Sequence, residues 1–81
     1  MKESLKHRLG RNLRALRVSR GLTQEKLAED LDVTPRYLAG IERGERNLTL
    51  DSIDALAEAL RVDSVALLTV GVDASTTTQR L

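Results

Sequence analysis

A chain of 81 residues is sized for one domain and not two. It has no Cys, so no disulfide can staple it, and with one Tyr and neither Phe nor Trp it has no aromatic platform for stacking single-stranded bases. The net charge of +1 excludes nothing, but it is unevenly spread: residues 1–22 carry seven Lys/Arg against one Glu, and residues 49–81 carry two against five acidic residues. One end is a basic lobe, read either as a solvated helix face or as an electrostatic footprint for phosphates.

No stretch alternates apolar and polar residues as a half-buried strand would; apolar residues recur at three and four, the helical spacing. Leu5, Leu9, Leu13 and Leu16 form one stripe and predict a helix over 4–20. Gly10 interrupts it at roughly 1 kcal/mol relative to Ala, which a close helix–helix approach would explain. Gly21 stands where a helix takes a left-handed stop. Four further starts share one signature, a capping residue with an apolar residue before it and another four positions after it. They are Thr23 between Leu22 and Leu27, Thr34 between Val33 and Leu38, Thr49 between Leu48 and Ile53, and Asp63 between Val62 and Leu67. Helices are expected at 24–31, 35–43, 50–61 and 64–69, with a polar turn from Gly44 to Leu48. Residues 71–81 have no periodic apolar face and are expected to form a mobile tail. The expected architecture is an all-α, five-helix domain over residues 1–70. The N-terminus has no long apolar run, so neither a signal peptide nor a membrane span is expected, and the expected location is the cytoplasm.

Two helices that cross through a tight turn need a small residue where they touch, a turn residue that tolerates a left-handed backbone, and apolar anchors on the second helix. Ala28, Asp32, and Val33 with Leu38 and Ile41 have those places, which is helix-turn-helix spacing. On a helical wheel Leu38 and Ile41 mark the buried side of helix 35–43. Arg36 and Arg43 centre the opposite side, with Ala39 and Gly40 beside them as minimal side chains. Arg36 is near the helix N-terminus, the end that reads base edges in this motif, where Arg most often bridges O6 and N7 of guanine. Tyr37 lies on the flank, in reach of a thymine methyl or a phosphate, and the cap Thr34 belongs to the same reading end. Solvated surface is the plainer alternative for Arg36 and Arg43. Thr23 and Gln24 open a helix whose free N–H groups favour an anion. Arg11 and Arg14 serve either phosphates or solubility.

The runs Leu16-Arg17-Val18-Ser19-Arg20-Gly21-Leu22-Thr23-Gln24 and Tyr37-Leu38-Ala39-Gly40-Ile41-Glu42-Arg43-Gly44 resemble the phage-repressor/XRE family of helix-turn-helix domains. The resemblance covers residues 5–69. The second run, continued through Arg46-Asn47-Leu48-Thr49-Leu50, is similar to the controller proteins of restriction–modification systems. Asp32 stands where the family usually has Gly. The resemblance implies a lambda-repressor-like fold, a phosphate contact for Gln24, DNA contacts for Arg46 and Asn47, and an ion pair of Arg17 with Glu42 tying the first helix to the recognition helix. It implies a sequence-specific regulator of transcription, binding a pseudo-palindromic duplex operator as a homodimer, of the autoregulatory controller kind.

The last two helices carry more apolar residues than a small domain can hide. Leu50, Ile53, Val65, Leu68 and Val70 are therefore expected to contribute to a self-complementary interface, completion of the core being the alternative. Catalysis is not expected: the sole His, His7, lies among cations, and no Cys, carboxylate pair or Ser–His arrangement has supporting context. No metal or cofactor is expected. The expected partners are an operator duplex, a second copy of the chain and, secondarily, RNA polymerase. The competing function is an antitoxin or adaptor module that binds protein, for which the nearly anchorless segment 71–81 offers little grip.

Overall fold

Ser4, Thr23, Thr34, Thr49 and Asp63 each hold an extended backbone, and their side-chain oxygens accept the backbone N–H of His7, Lys26, Tyr37, Ser52 and Val65. Each helix thus begins at a side chain that satisfies one of its orphan donors. The structure, a computed structural model, describes residues 3–70, and the expected tail 71–81 lies outside them. The described residues form α1 (Leu5–Ser19), α2 (Gln24–Leu31), α3 (Pro35–Glu42), α4 (Leu50–Leu60) and α5 (Ser64–Leu68), with no strand among them. No helix among the described residues is long and apolar enough to cross a membrane.

The helix ends are as regular as the starts. Gly21, Asp32, Gly44 and Arg61 are left-handed, with φ of 69°, 59°, 78° and 60°. The next N–H in each case turns back onto the helix: Leu22 donates to the Arg17 carbonyl, Val33 to Ala28, Glu45 to Gly40 and Val62 to Ala57, at 2.9–3.1 Å. Three of the four links consequently end in the same three roles, a left-handed stop, an apolar residue and a cap: Gly21-Leu22-Thr23, which follows Arg20, then Asp32-Val33-Thr34 and Arg61-Val62-Asp63. The apolar residue closes one helix and staples the next, and all three pack on the core. Asp32, the departure from the family's Gly, holds the conformation that the turn needs.

Helix α1 packs on α3 and α5, α2 on α3 and α4, and α4 on α5. Leu9, Leu13, Leu27, Ala28, Leu38, Ile41, Leu56, Ala57, Leu60 and Leu67 fill the space between them. Ile53, expected at a self-association surface, instead belongs to this core at 9 % exposure, because the staple from Leu48 turns it inward. Leu5 departs in the other direction. It continues the stripe of Leu9 and Leu13 but, in the first turn of α1, is 59 % exposed. Asn12, a poor helix former in the middle of α1, was not singled out by its sequence. Its amide donates to the carbonyls of Leu67 (2.9 Å) and Thr69 (2.8 Å), and Arg8 reaches the Leu68 carbonyl at 3.4 Å, so α1 side chains hold the end of α5.

Gly10 faces α3 so closely that an added methyl would run into the Ile41 carbonyl oxygen and come within 2.7 Å of that of Glu42. Backbone cannot yield as a side chain can. Gly10→Ala is therefore expected to lower stability by about 1–3 kcal/mol in urea unfolding, despite the better helix propensity of Ala. An unchanged midpoint would show that α1 and α3 can separate without loss.

Candidate nucleic-acid interface

Helix α3 buries one side and shows the other. Leu38 and Ile41 are 0 % and 2 % exposed, whereas Thr34, Pro35, Arg36 and Arg43 face solvent. Pro35 occupies the first turn, where its missing N–H is no loss. Arg36 follows it, exposed and with no hydrogen bond or ion pair among the described residues.

The orientation of α3 is set from beneath. Arg17 on α1 meets Glu42 on α3 in a fork, Nε to Oε2 at 2.8 Å and Nη2 to Oε1 at 3.2 Å, with the two side chains 12 % and 4 % exposed. Arg17 also donates to the Leu22 carbonyl at 2.9 Å, and the Gln24 amide donates to Glu42 Oε1 at 2.9 Å. The hydrogen bond that Arg17 donates to Glu42 holds its guanidinium above the ordinary pKa, against the opposing effect of burial. One carboxylate so gathers α1, the start of α2 and α3. The family resemblance paired Glu42 with Arg17, and the sequence held no sign of Gln24 as the third member. In this structure the Gln24 side-chain amide gives one of its two N–H groups to the carboxylate, which leaves the second N–H and its place in the first turn of α2 for an anion.

An open depression of about 520 Å³ runs over this junction, lined by Arg14, Arg17, Thr23, Gln24, Glu25, Ala39, Glu42 and Arg43. Side chains from three helices that were singled out separately thus share one surface. Thr23 and Thr34 each accept a backbone N–H at 3.0 Å, which leaves their hydroxyl protons free to donate. Arg14 is exposed with no ion pair among the described residues. Arg11 instead meets Glu3 at 2.7 Å, and Arg43 meets Glu45 through two bonds of 3.0 Å. That contact raises the pKa of Arg43 and holds the Glu45 carboxyl below the usual carboxylate range. Glu45, not considered in the sequence, is the internal competitor for Arg43.

Gly40 requires a correction. The wheel set it beside Ala39 on the open face, yet it is buried, because Arg46 folds back from the following turn and lies across it. The Arg46 guanidinium carbon sits 5.0 Å from the centroid of the Tyr37 ring, which is itself half-buried against the core. Asn47 is exposed next to it. His7 hydrogen-bonds the Ser4 hydroxyl at 2.8 Å and its ring lies against Gly44, at the end of α3. No group of His, Cys, Asp or Glu among the described residues could hold a metal ion.

The remaining predicted residues lie on another side. Leu50, Val65 and Val70 are 78 %, 65 % and 57 % exposed, and Leu68 is half-buried. A shallow apolar groove of about 160 Å³ joins Leu50 and Leu68 to Leu5, Leu9, Leu48 and Ile53, with Lys6, Arg46 and Asn47 at its margin.

Comparison with known proteins is consistent across sequence and structure. The family model described as helix-turn-helix (HTH_3) matches residues 13–67. The control protein C.BamHI of Bacillus amyloliquefaciens is 38 % identical over 69 residues, which cover 84 % of this chain and 85 % of that protein. The crystal structure of the restriction–modification controller protein C.AhdI from Aeromonas hydrophila superposes with a TM-score of 0.68 at 40 % identity, over 76 % of this chain and 90 % of that one. The controller protein C.Esp1396I, solved as a tetramer in complex with its natural 35 base-pair operator, gives a TM-score of 0.69 at 32 % identity, over 82 % and 87 % of the two chains.

The Arg17–Glu42 fork predicts strong non-additivity. Glu42→Leu strands a largely covered guanidinium and is expected to cost about 3 kcal/mol in urea unfolding, whereas Arg17→Met with Glu42→Leu is expected to regain most of that loss. A double variant as unstable as the sum of the singles would show that the two side chains do not act as a pair.

Proposed function

This chain belongs to the helix-turn-helix family HTH_3, and on that premise we propose that it is a transcriptional regulator that reads a two-fold duplex operator as a homodimer. The observation that carries the reading is Arg36: a cationic side chain, unpaired among the described residues, at the exposed N-terminal end of a helix whose other face is locked into the core. A helix presented in that way fits the major groove, and an arginine at that end fits the O6 and N7 edge of guanine. Arg43 and Tyr37 extend the readout, with Thr34 at the cap. Thr23, Gln24 and Arg14 flank it as phosphate contacts, Arg46 and Asn47 come after it in the next turn, and Arg11 adds to the basic lobe. Arg11 and Arg43 would exchange their own carboxylates, Glu3 and Glu45, for phosphate or base. Both carboxylate partners are near the surface, where such an exchange costs little.

One recognition helix covers few base pairs, so a second copy is part of the proposal. Leu50 on α4, Val65 on α5 and Val70 beyond it are exposed apolar residues, and Leu50 lines one groove with Leu68 and the unexpected Leu5, with Arg46 and Asn47 at its margin. A two-fold interface there would leave both recognition helices free, with half-sites about 10–10.5 base pairs apart. The identity to C.BamHI supports an autoregulatory controller role beside a restriction enzyme, and RNA polymerase then enters as the partner through which an operator-bound dimer acts on transcription.

Two experiments test this. Selection of bound duplexes from a random pool at fixed salt is expected to yield a two-fold motif with guanine at a position that Arg36→Ala no longer prefers. A motif unchanged in the variant would move the reader elsewhere, and no enriched motif would favour a protein-binding module. Val65→Asp is expected to leave the helical signal of the folded chain intact while raising the dimer dissociation constant at least tenfold in sedimentation, since a desolvated carboxylate costs more than about 1.4 kcal/mol. Unchanged association would remove this surface from the interface.

A further inference from the structure

Gly40 is a poor choice for the middle of a helix, and its backbone does not require it, because only Gly21 and Gly44 among the described glycines have positive φ. What it provides is room. A Cβ at Gly40 would stand 3.0 Å from Arg46 Nε, 3.3 Å from Cγ and 3.6 Å from Cδ. The Arg46 side chain therefore lies flat along the helix over Gly40, and its guanidinium reaches the face of Tyr37 at 5.0 Å. Arg46 stands beyond the end of α3, in a turn that nothing else in the sequence marks as rigid. Its direction is set by two features of α3 one turn apart, a missing side chain and a ring.

We infer that Gly40 is a positioning residue for Arg46, and that Gly40, Tyr37 and Arg46 form one specificity-determining arm on the flank of the recognition helix. The inference rests on the proposed DNA contact of Arg46 and deepens it. An arginine on a flexible turn must lose its freedom when it meets a base or phosphate; one already laid against a helix has lost it before binding. The ring adds electrostatic attraction for the guanidinium. Tyr37 then serves recognition through the face it offers Arg46, besides any contact of its own with thymine or phosphate.

The consequence is a pair of effects with opposite sign. Gly40→Ala improves helix propensity, and the atoms it would crowd belong to an exposed, flexible side chain, so the fold is expected to be unharmed or stabilised. Arg46 is expected to leave the ring. Tyr37 is the sole Tyr, Phe or Trp, and the other aromatic ring, that of His7, lies against Gly44, so ring-current shifts of the Arg46 side-chain protons that disappear in Tyr37→Leu report the stack. They are expected to be upfield in the wild type and close to those of an unstructured arginine in Gly40→Ala. Binding to the duplex enriched by the wild type is expected to weaken about two- to fivefold per half-site, the range of an exposed cation–π contact. The base preference relaxed by Gly40→Ala is expected to match that relaxed by Arg46→Ala, and the two changes together are expected to be no worse than Arg46→Ala alone.

Tyr37→Leu, which keeps Gly40 and Arg46 but removes the ring, provides the same comparison should Gly40→Ala fold poorly. Its loss is expected to be smaller in the Arg46→Ala background than in the wild type, the remainder being Tyr37's own contact with the duplex. Arg46 protons that stay as far upfield in Gly40→Ala as in the wild type, or additive losses with Arg46→Ala, would overturn the positioning role while leaving Arg46 as a DNA contact. Unchanged binding by Arg46→Ala would overturn both that contact and the inference built on it.

Discussion

The Glu42 carboxylate is the constraint on which the rest depends. It sits at the C-terminal end of the exposed helix, almost fully covered, and is held by Arg17 from below and Gln24 from the side. Two charges removed this far from water contribute little net stability, yet neither is tolerated without the other. Their value is geometric. A planar guanidinium bonded through two nitrogens defines a direction as well as a distance. That direction fixes how α3 projects from α1 and α2. Gly10 imposes the matching distance, since α1 lies against the carbonyls of Ile41 and Glu42, where no side chain would fit. Angle and separation of the recognition helix are thus set by one ion pair and one missing methyl group.

Around that junction the domain is economical. Three of its links use a single apolar residue to end one helix and start the next, so each of them keeps one residue packed on the core. The scheme suits a chain with one aromatic residue and no disulfide, whose core is Leu, Ile and Ala. It also puts left-handed Asp32 and Arg61 where glycine would be easier. The one longer link, after Gly44, is the one that carries Arg46 and Asn47. Extra length is found where side chains are presented to solvent, which agrees with the general placing of function on loops held by a rigid frame.

The electrostatic surface has a similar logic. The basic lobe read from the sequence is partly neutralised at short range, with Glu3 on Arg11 and Glu45 on Arg43. Arg36 and Arg14 stay without such partners among the described residues. In the proposed complex this divides the cations into those ready for the duplex and those that must first release a carboxylate. In that proposal such a division would restrain indiscriminate attraction to phosphate and keep Arg36 free for a discriminating contact.

Helix positions, caps and the helix-turn-helix spacing were legible in the sequence because they depend on neighbours within four or five residues. Thr23, Thr34, Thr49 and Asp63 cap α2, α3, α4 and α5 whatever the tertiary fold, and the period of Leu9, Leu13 and Leu16 needs no partner to be recognised. The side of α3 that faces the core was legible for the same reason. The resemblance to the XRE family supplied the pairing of Arg17 with Glu42, which no spacing could have given, since the two are 25 residues apart. What only the tertiary structure decided are the contacts between distant segments: Ile53 inside and Leu5 outside, Asn12 holding the end of α5, Gln24 turned to Glu42, and Gly40 covered by Arg46. A sequence determines which conformations are locally cheap. Which of two equally apolar or equally charged residues is buried or paired depends on which backbone arrives opposite it, and that is known only once the helices have met.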